Sequence, residues 1–131
     1  MVVISTTMFA QRTTIYPTLS ANVIIDDPAS SSFDYYLVGQ VVTSNQGVYG
    51  LYPSMYNPYT TAGIVYFYNN SQAVEVPKPN PLSMDFYAIR VICIRVYAGT
   101  TTEYDRQNNS VRAILDSNDN LYASEDIQIK F

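Results

Sequence analysis

The chain has 131 residues with 13 tyrosines, no histidine, no tryptophan and one cysteine, and only 14% of its residues are charged, against about 25% in a typical soluble domain. The absence of histidine excludes Ser-His-Asp and Cys-His catalytic arrangements and histidine-bearing zinc sites. The formal net charge of −4 repels phosphate groups, so nucleic acid is not expected as a partner.

The length suits one hydrophobic core, and we expect residues 1–131 to form a single β-rich domain. No stretch of the sequence approaches the roughly 20 apolar residues of a membrane-spanning helix, so membrane insertion is not expected. The lone cysteine, Cys93, lies between Ile92 and Ile94 and is interpreted as a small buried hydrophobic residue. The chain is expected to be soluble, while its localisation stays open.

Along most of the chain, apolar residues alternate with polar ones or form β-branched runs between turn residues. This pattern is typical of many short strands, and helical periodicity is nearly absent. The fold class is therefore expected to be all-β, a β-sandwich of about eight or nine short strands. The strands are predicted near residues 2–9, 20–26, 34–43, 62–68, 72–76, 85–98, 111–115, 121–123 and 126–131.

Residues 48–70 combine six tyrosines with several glycines and prolines. Tyrosine offers a large contact area with few rotatable bonds, and it is enriched in binding loops. Tyr66 and Tyr68 continue a strand, so a structural role is predicted for those two. The earlier part reads as a loop, in which exposed binding and simple packing are both open. The candidate binding residues are Tyr49, Tyr52, Tyr56, Asn57 and Tyr59.

Residues 84–99 are apolar on both faces of a predicted strand. Such a strand is normally covered on both sides, here either by another layer of the same chain or by a second subunit. Arg90 and Arg95 interrupt opposite faces, so each is expected at a strand end, beside a carboxylate, or where the cover stops. The candidate interface residues, which share one face, are Tyr87, Ile89, Val91 and Tyr97.

Residues 103–116 are the exception, because a helix competes there with a strand. Val111, Ile114 and Leu115 fit a helical stripe about as well as Val111, Ala113 and Leu115 fit one face of a strand. A short helix in this segment would make the fold α+β, which is the alternative fold class.

Residues 116–120, Asp-Ser-Asn-Asp-Asn, begin like a calcium-binding loop with oxygen ligands at alternate positions. The pattern then departs, because Leu121 stands where the sharp turn requires glycine and Ile127 where a bidentate glutamate belongs. A polar turn is predicted instead. No metal is expected, and no cofactor either, since the five glycines form no phosphate-binding motif.

In its low charge, its richness in serine, threonine, asparagine and tyrosine, and its lack of a catalytic histidine, the whole chain resembles small β-rich virion or host-interaction proteins of viruses, including viruses of hot-environment archaea. The resemblance is strongest over residues 47–70 and is carried by composition, with no motif matched. It implies self-assembly or attachment as the role, in the virion or the host cytoplasm, and it transfers no functional residue.

The leading hypothesis is a non-enzymatic structural or interaction protein, such as a viral structural or attachment protein. Its partner would be a second copy of itself or another protein, held by apolar strand faces or by the tyrosine-rich loop. The alternative is a carbohydrate-binding module whose exposed tyrosines stack on a glycan. A carboxylate-based glycosidase comes third, because two Asp or Glu side chains suffice for that chemistry but no aspartate here lies in a recognisable motif.

Overall fold

The computed structural model describes residues 12–15, 18–43, 47–51, 61–70, 74–77, 86–118 and 120–131 of the chain. Most of these residues lie in β-strands, and the 3-10 turn Ser30–Ser32 is the only helical element among them. None of them belongs to a helix long and apolar enough to cross a membrane. The strands are β1 (Arg12–Ile15), β2 (Thr18–Asp26), β3 (Phe33–Thr43), β4 (Gly47–Leu51), β5 (Gly63–Asn70), β6 (Val74–Pro77), β7 (Tyr87–Tyr97), β8 (Glu103–Leu115), β9 (Leu121–Ala123) and β10 (Ile127–Lys130).

Eight of these strands form one mixed sheet, and β1 and β6 form a separate antiparallel pair. The large sheet begins at β5, continues through β2 to β9 and β10, and then runs through β8, β7 and β3 to β4. Strand β2 pairs in parallel with both β9 and β10, and the other recorded pairings are antiparallel. The sheet therefore joins early and late parts of the chain at β2.

The sheet is split at one place, between β8 and β10. Strands β9 and β10 follow one another along the edge of β2 that lies opposite β5. Strand β9 also pairs with β8. Strand β10 contacts β8 through a side chain, because Nδ2 of Asn109 in β8 donates a hydrogen bond to the backbone carbonyl of Gln128 in β10 at 2.9 Å. Beside this split, side-chain contacts have to hold the neighbouring strands together.

The inner face of the sheet forms the core, and a contact between distant strands shows that the sheet curls. Phe67 of β5 lies against Gly39 of β3, where an added Cβ would stand 2.7 Å from the ring carbons Cε1 and Cζ. The two strands approach each other across the core, so the sheet forms a half-barrel. The buried core residues are Leu19, Ala21, Val23, Ile25, Tyr35, Leu37, Val41, Phe67, Tyr87, Ile89, Val91, Cys93, Val111, Ala113, Leu121, Ile127 and Ile129.

The structure confirms the all-β class but not the β-sandwich, since one curled sheet encloses the core in place of two stacked sheets. The helix considered for residues 103–116 is wrong, because Glu103–Leu115 is a strand paired along β7. The predicted strand at 111–115 is the end of this longer strand. Strands β1 and β4 were not predicted, and the strand predicted near 2–9 lies outside the described residues.

The two apolar faces of β7 differ in what covers them. One face belongs to the core of the same chain, so intrachain cover applies there. On the other face Ala88 and Val96 are buried, while Ile92 and Ile94 are half-buried. The residues of the covered inner face are Tyr87, Ile89, Val91 and Cys93.

Gly39→Ala should destabilise the fold by about 1–3 kcal/mol, because the new methyl group overlaps the Phe67 ring in a filled core. Urea denaturation measures the loss. In a Phe67→Leu background, which removes the ring, the same substitution should cost clearly less. An equal cost in both backgrounds would show that the contact does not limit residue 39.

Candidate interaction surface

Strand register places three polar residues in one row on the inner face of the sheet. Arg95 of β7 pairs with Tyr35 of β3 on one side and with Asp105 of β8 on the other. Asp27, in the turn after β2, is brought to the same point and is buried. Antiparallel pairing therefore assembles an arginine between two carboxylates and a phenol.

Each polar atom in this row has a close partner. Arg95 donates from Nε and Nη2 to the two oxygens of Asp105, at 2.6 and 2.7 Å, and from Nη1 to Asp27 at 3.0 Å. The Tyr35 hydroxyl donates to the same Asp27 oxygen, and the Ala29 amide donates to the other at 2.8 Å. The fork of the guanidinium fits this two-carboxylate arrangement, which lysine could not reproduce.

Aromatic rings cover the flat faces of the guanidinium. The Arg95 Cζ atom lies 4.4 Å from the centroid of the Phe33 ring and 4.3 Å from that of Phe131. Tyr104 stands slightly farther away, at 5.2 Å. Cation–π contacts of this kind contribute roughly 0.5–2 kcal/mol each, more when water is excluded. We call Asp27, Phe33, Tyr35, Arg95, Asp105 and Phe131 the arginine cluster.

The contacts within the arginine cluster keep Asp27, Tyr35 and Arg95 in their ordinary charge states. Burial raises the pKa of the Asp27 carboxyl, but the hydrogen bonds from Tyr35, Ala29 and Arg95 outweigh it, so the pKa lies below its usual range. Burial and Asp27 together raise the pKa of the Tyr35 hydroxyl. The bonds to Asp105 raise that of Arg95 despite desolvation. A general acid or base needs a pKa near neutrality, so the cluster is suited to a structural role.

A second feature lies on the outer face of β5. Residues at alternate positions point outward, and their exposed fractions are 78% for Ile64, 60% for Tyr66 and 50% for Tyr68. The rings of Tyr66 and Tyr68 stack with centroids 6.1 Å apart. Intervening Val65 and Phe67 face the core side. Both sides of β5 are thus apolar, although only one is covered by the described residues.

The same outer face continues across the neighbouring strands. Ser20 of β2 pairs with Tyr68 on one side and Tyr122 of β9 on the other, and Tyr122 pairs with Ile114 of β8. Tyr122 and Ile114 are also exposed. These side chains form a row that crosses four strands. We call Ile64, Tyr66, Tyr68, Ile114 and Tyr122 the tyrosine face.

A smaller aromatic group lies at the end of the β7–β8 hairpin. Tyr97 and Tyr104 meet edge to face with centroids 5.3 Å apart, and both rings pack on Phe33. They are exposed on their outer sides. Because Tyr104 and Phe33 also lie over the Arg95 guanidinium, this packing has an evident structural function.

The residues predicted as sites do not lie together. Tyr87, Ile89 and Val91 are core residues of this chain and leave no surface for a partner, while Tyr97 is exposed. Tyr49 lies in β4, not in the expected loop. The candidates that lie outside the described residues are Tyr52, Tyr56, Asn57 and Tyr59. The structure therefore does not gather the predicted site residues into one described surface.

The polar turn predicted at residues 116–120 is present around Asp116. One of its carboxylate oxygens accepts the backbone amides of Asn118 and Asn120, at 2.8 and 2.9 Å. These bonds lower the pKa of Asp116. Over the described parts of the chain, no group of three His, Cys, Asp or Glu side chains is placed to hold a metal ion.

An open pocket of about 350 Å³ lies on the outer face of β3 and β7. Its charged lining residue, Glu103, is already paired with Arg106. Ligand sites combine apolar walls with several converging polar groups. The surface of this pocket is mainly apolar, so it does not have the character of a specific ligand site. The lining residues are Tyr36, Ile94, Val96, Thr101 and Glu103.

No protein-family model, curated protein or solved structure matches the chain. The tyrosine face and the arginine cluster are therefore the features of the chain that bear on its function. Sequence reasoning assigned Tyr66 and Tyr68 to a strand, where they lie, but it did not identify their exposure. The available signal was the run of five apolar residues from Ile64 to Tyr68, which requires cover on two sides.

Asp27→Asn should lower the free energy of unfolding at pH 7 by about 1–3 kcal/mol, since it removes the charge that pairs with Arg95. The folded-state pKa of Asp27 is depressed, so the contribution of its charge is present above the unfolded carboxyl pKa of about 4 and is lost as pH falls through the folded pKa. The difference between wild type and variant should therefore shrink by pH 3.

Urea denaturation at pH 7 and pH 3 measures both effects. Asp126→Asn is the control, because Asp126 is exposed in the turn before β10; it should change stability by less than about 0.5 kcal/mol. If Asp27→Asn costs nothing at pH 7, or costs the same at both pH values, the assignment of the ion pair is wrong.

Proposed function

We propose that this chain is a non-enzymatic structural or interaction protein that associates with a second copy of itself. The observation that carries the proposal is the tyrosine face, an uncharged apolar surface on strands whose other face already lies in the core. Isolated exposed apolar residues need no explanation, but a contiguous group usually marks an interaction site.

The size of the tyrosine face supports association. With the exposed fractions of its residues, the five side chains offer on the order of 500 Å², near the largest patch of a typical monomer, about 300–600 Å². A standard interface buries about 800 Å² on each partner. The face is thus large enough to contribute apolar contact to an interface, but it is too small to form a standard interface alone.

The chemistry of the face supports a like partner. Ser20, Asn22 and Ile24 lie beside the tyrosines in the register of β2 and β5 and carry no charge. A chain of net charge −4 repels its own copies wherever acidic groups meet, and a neutral face avoids that cost. Tyrosine hydroxyls keep such a face hydrated in the free chain.

The arginine cluster supports a non-enzymatic role, because its charged groups are bound to one another. The compositional resemblance to virion and host-interaction proteins supports assembly or attachment in a viral context. Glycan binding through Tyr52, Tyr56 and Tyr59 stays a prediction about residues outside the described part, and a glycan panel would test it.

Light scattering over a range of protein concentrations should give a mass that rises from one chain towards two. Tyr66→Ser should weaken association at least tenfold, because it removes the most exposed ring of the stacked pair. Circular dichroism should show an unchanged fold.

Tyr97→Ser is the control, since Tyr97 is an exposed tyrosine at the C-terminal end of β7, outside the tyrosine face, and the one candidate interface residue left at the surface. Because Tyr97 packs on Phe33, circular dichroism should show this variant folded as well. The substitution should leave association unchanged. A mass of one chain at every concentration would contradict self-association, and an effect of Tyr97→Ser alone would place the interface elsewhere.

A further inference from the structure

Strand β5 is an edge of the large sheet. Over Gly63–Asn70 it pairs with β2 residue for residue, from Gly63 opposite Ile25 to Asn70 opposite Thr18, with no irregularity in the register. Among the described strands, β2 is its one pairing partner. The edge of β5 that faces away from β2 is therefore a straight row of eight residues.

Natural proteins protect such edges from pairing with other chains. The usual devices are a charged side chain, a proline, a bulge or a very short strand. Strand β5 has no charged residue and no proline, and its sequence, Gly-Ile-Val-Tyr-Phe-Tyr-Asn-Asn, is rich in residues that favour strands.

Other strands of the same sheet carry these devices. Strand β4, at the opposite end of the sheet, is only five residues long, and its pairing with β3 shifts register between Val41 and Val42. The register of β7 with β8 shifts at Arg95, and the part of β8 beside that shift carries Glu103, Asp105 and Arg106. Among the described strands, β5 carries none of these devices within its own residues, which sets its edge apart.

We propose that β5 pairs edge to edge with β5 of a second copy, antiparallel and related by a twofold axis, so that the two sheets become continuous. This inference rests on the proposed self-association and specifies the surface that carries it. A twofold arrangement presents the same edge from both copies, and it closes at two chains.

Charge and strand geometry favour a second copy as the occupant. The uncharged edge meets its own image without opposing like charges, in a chain that is otherwise acidic. Of the tyrosine face, edge pairing brings only the side chains of β5 together, since Tyr122 and Ile114 lie two and three strands away. Backbone pairing along β5 adds contact and hydrogen bonds, and it places the Tyr66 rings of the two copies near the axis.

Edge pairing and face-to-face stacking of the tyrosine faces make different predictions for Tyr66 and Tyr122. Tyr66 lies on the edge strand, whereas Tyr122 lies on β9, two strands further into the sheet, or roughly 10 Å from the edge. Both side chains are exposed, so lysine is accommodated at each position. A charge at the edge blocks strand pairing, and a charge deep on the face blocks stacking.

The experiment is light scattering of the full chain, of Tyr66→Lys and of Tyr122→Lys across one concentration series. We expect wild type to stop at two chains, Tyr66→Lys to weaken the dimer at least tenfold, and Tyr122→Lys to change it less than about threefold. Equal weakening by both variants would overturn edge pairing and leave self-association standing. A wild-type mass that grows beyond two chains would also overturn the twofold arrangement.

Cysteine cross-linking gives a second readout that does not depend on weakened binding. Cys93 is fully buried, and burial raises the pKa of its thiol to about 12. Mild oxidation is therefore expected to cross-link only the engineered cysteines and not Cys93. Tyr66→Cys should form a disulfide-linked dimer on mild oxidation, and Tyr122→Cys should stay largely monomeric. More cross-linking at 122 than at 66 would overturn edge pairing, whereas a monomeric wild type at every concentration would overturn the proposed function as well.

Discussion

The guanidinium of Arg95 is the point at which separate parts of the fold are tied together. It joins β7 to Asp105 of β8 and to Asp27 in the turn after β2, and Phe131 covers one of its faces. These contacts lie near the split where β10 no longer pairs with β8 through the backbone. A buried charge is tolerated only when its partners are in place, so the cluster favours one arrangement of the strands that it joins.

The second constraint on the fold, after the arginine cluster, is the curl of the sheet. Gly39 lets the ring of Phe67 approach the backbone of β3, and the inner face is thereby filled by residues of the chain itself. The outer face carries the apolar side chains that do not enter the core, including Tyr66 and Tyr68 on the edge strand β5. In a chain with few charged residues, tyrosine serves both needs, because the ring is apolar and the hydroxyl remains compatible with water. The same residue type is thus structural in Tyr35 and available for contact in Tyr66.

Local pattern was sufficient to predict most strands, because alternation at Ile127 and Ile129 or β-branched runs in β7 depend on neighbours in the chain. Local pattern could not predict the curl of the sheet, since the contact between Gly39 and Phe67 joins strands that are far apart in the sequence. Strand β4 was missed because Gly47 and Gly50 resemble loop residues. Pairing with a carboxylate was one of three expectations for Arg95, but its partners follow from register, which one sequence does not show. The exposure of Tyr66 could not be predicted from the sequence for a related reason. Both sides of β5 are apolar, and the packing of the whole sheet decides which side is covered.

The parallel pairing of β2 also governs when the fold can form during synthesis. Val23 pairs with Ile127, and Leu19 pairs with Leu121, so the second edge of β2 stays open until β9 and β10 have left the ribosome. Contacts between residues so distant in the chain are slow to form, and an open strand edge on a nascent polypeptide is exposed to its neighbours. Neighbouring copies on one messenger RNA would therefore meet first through edges that the finished molecule keeps closed.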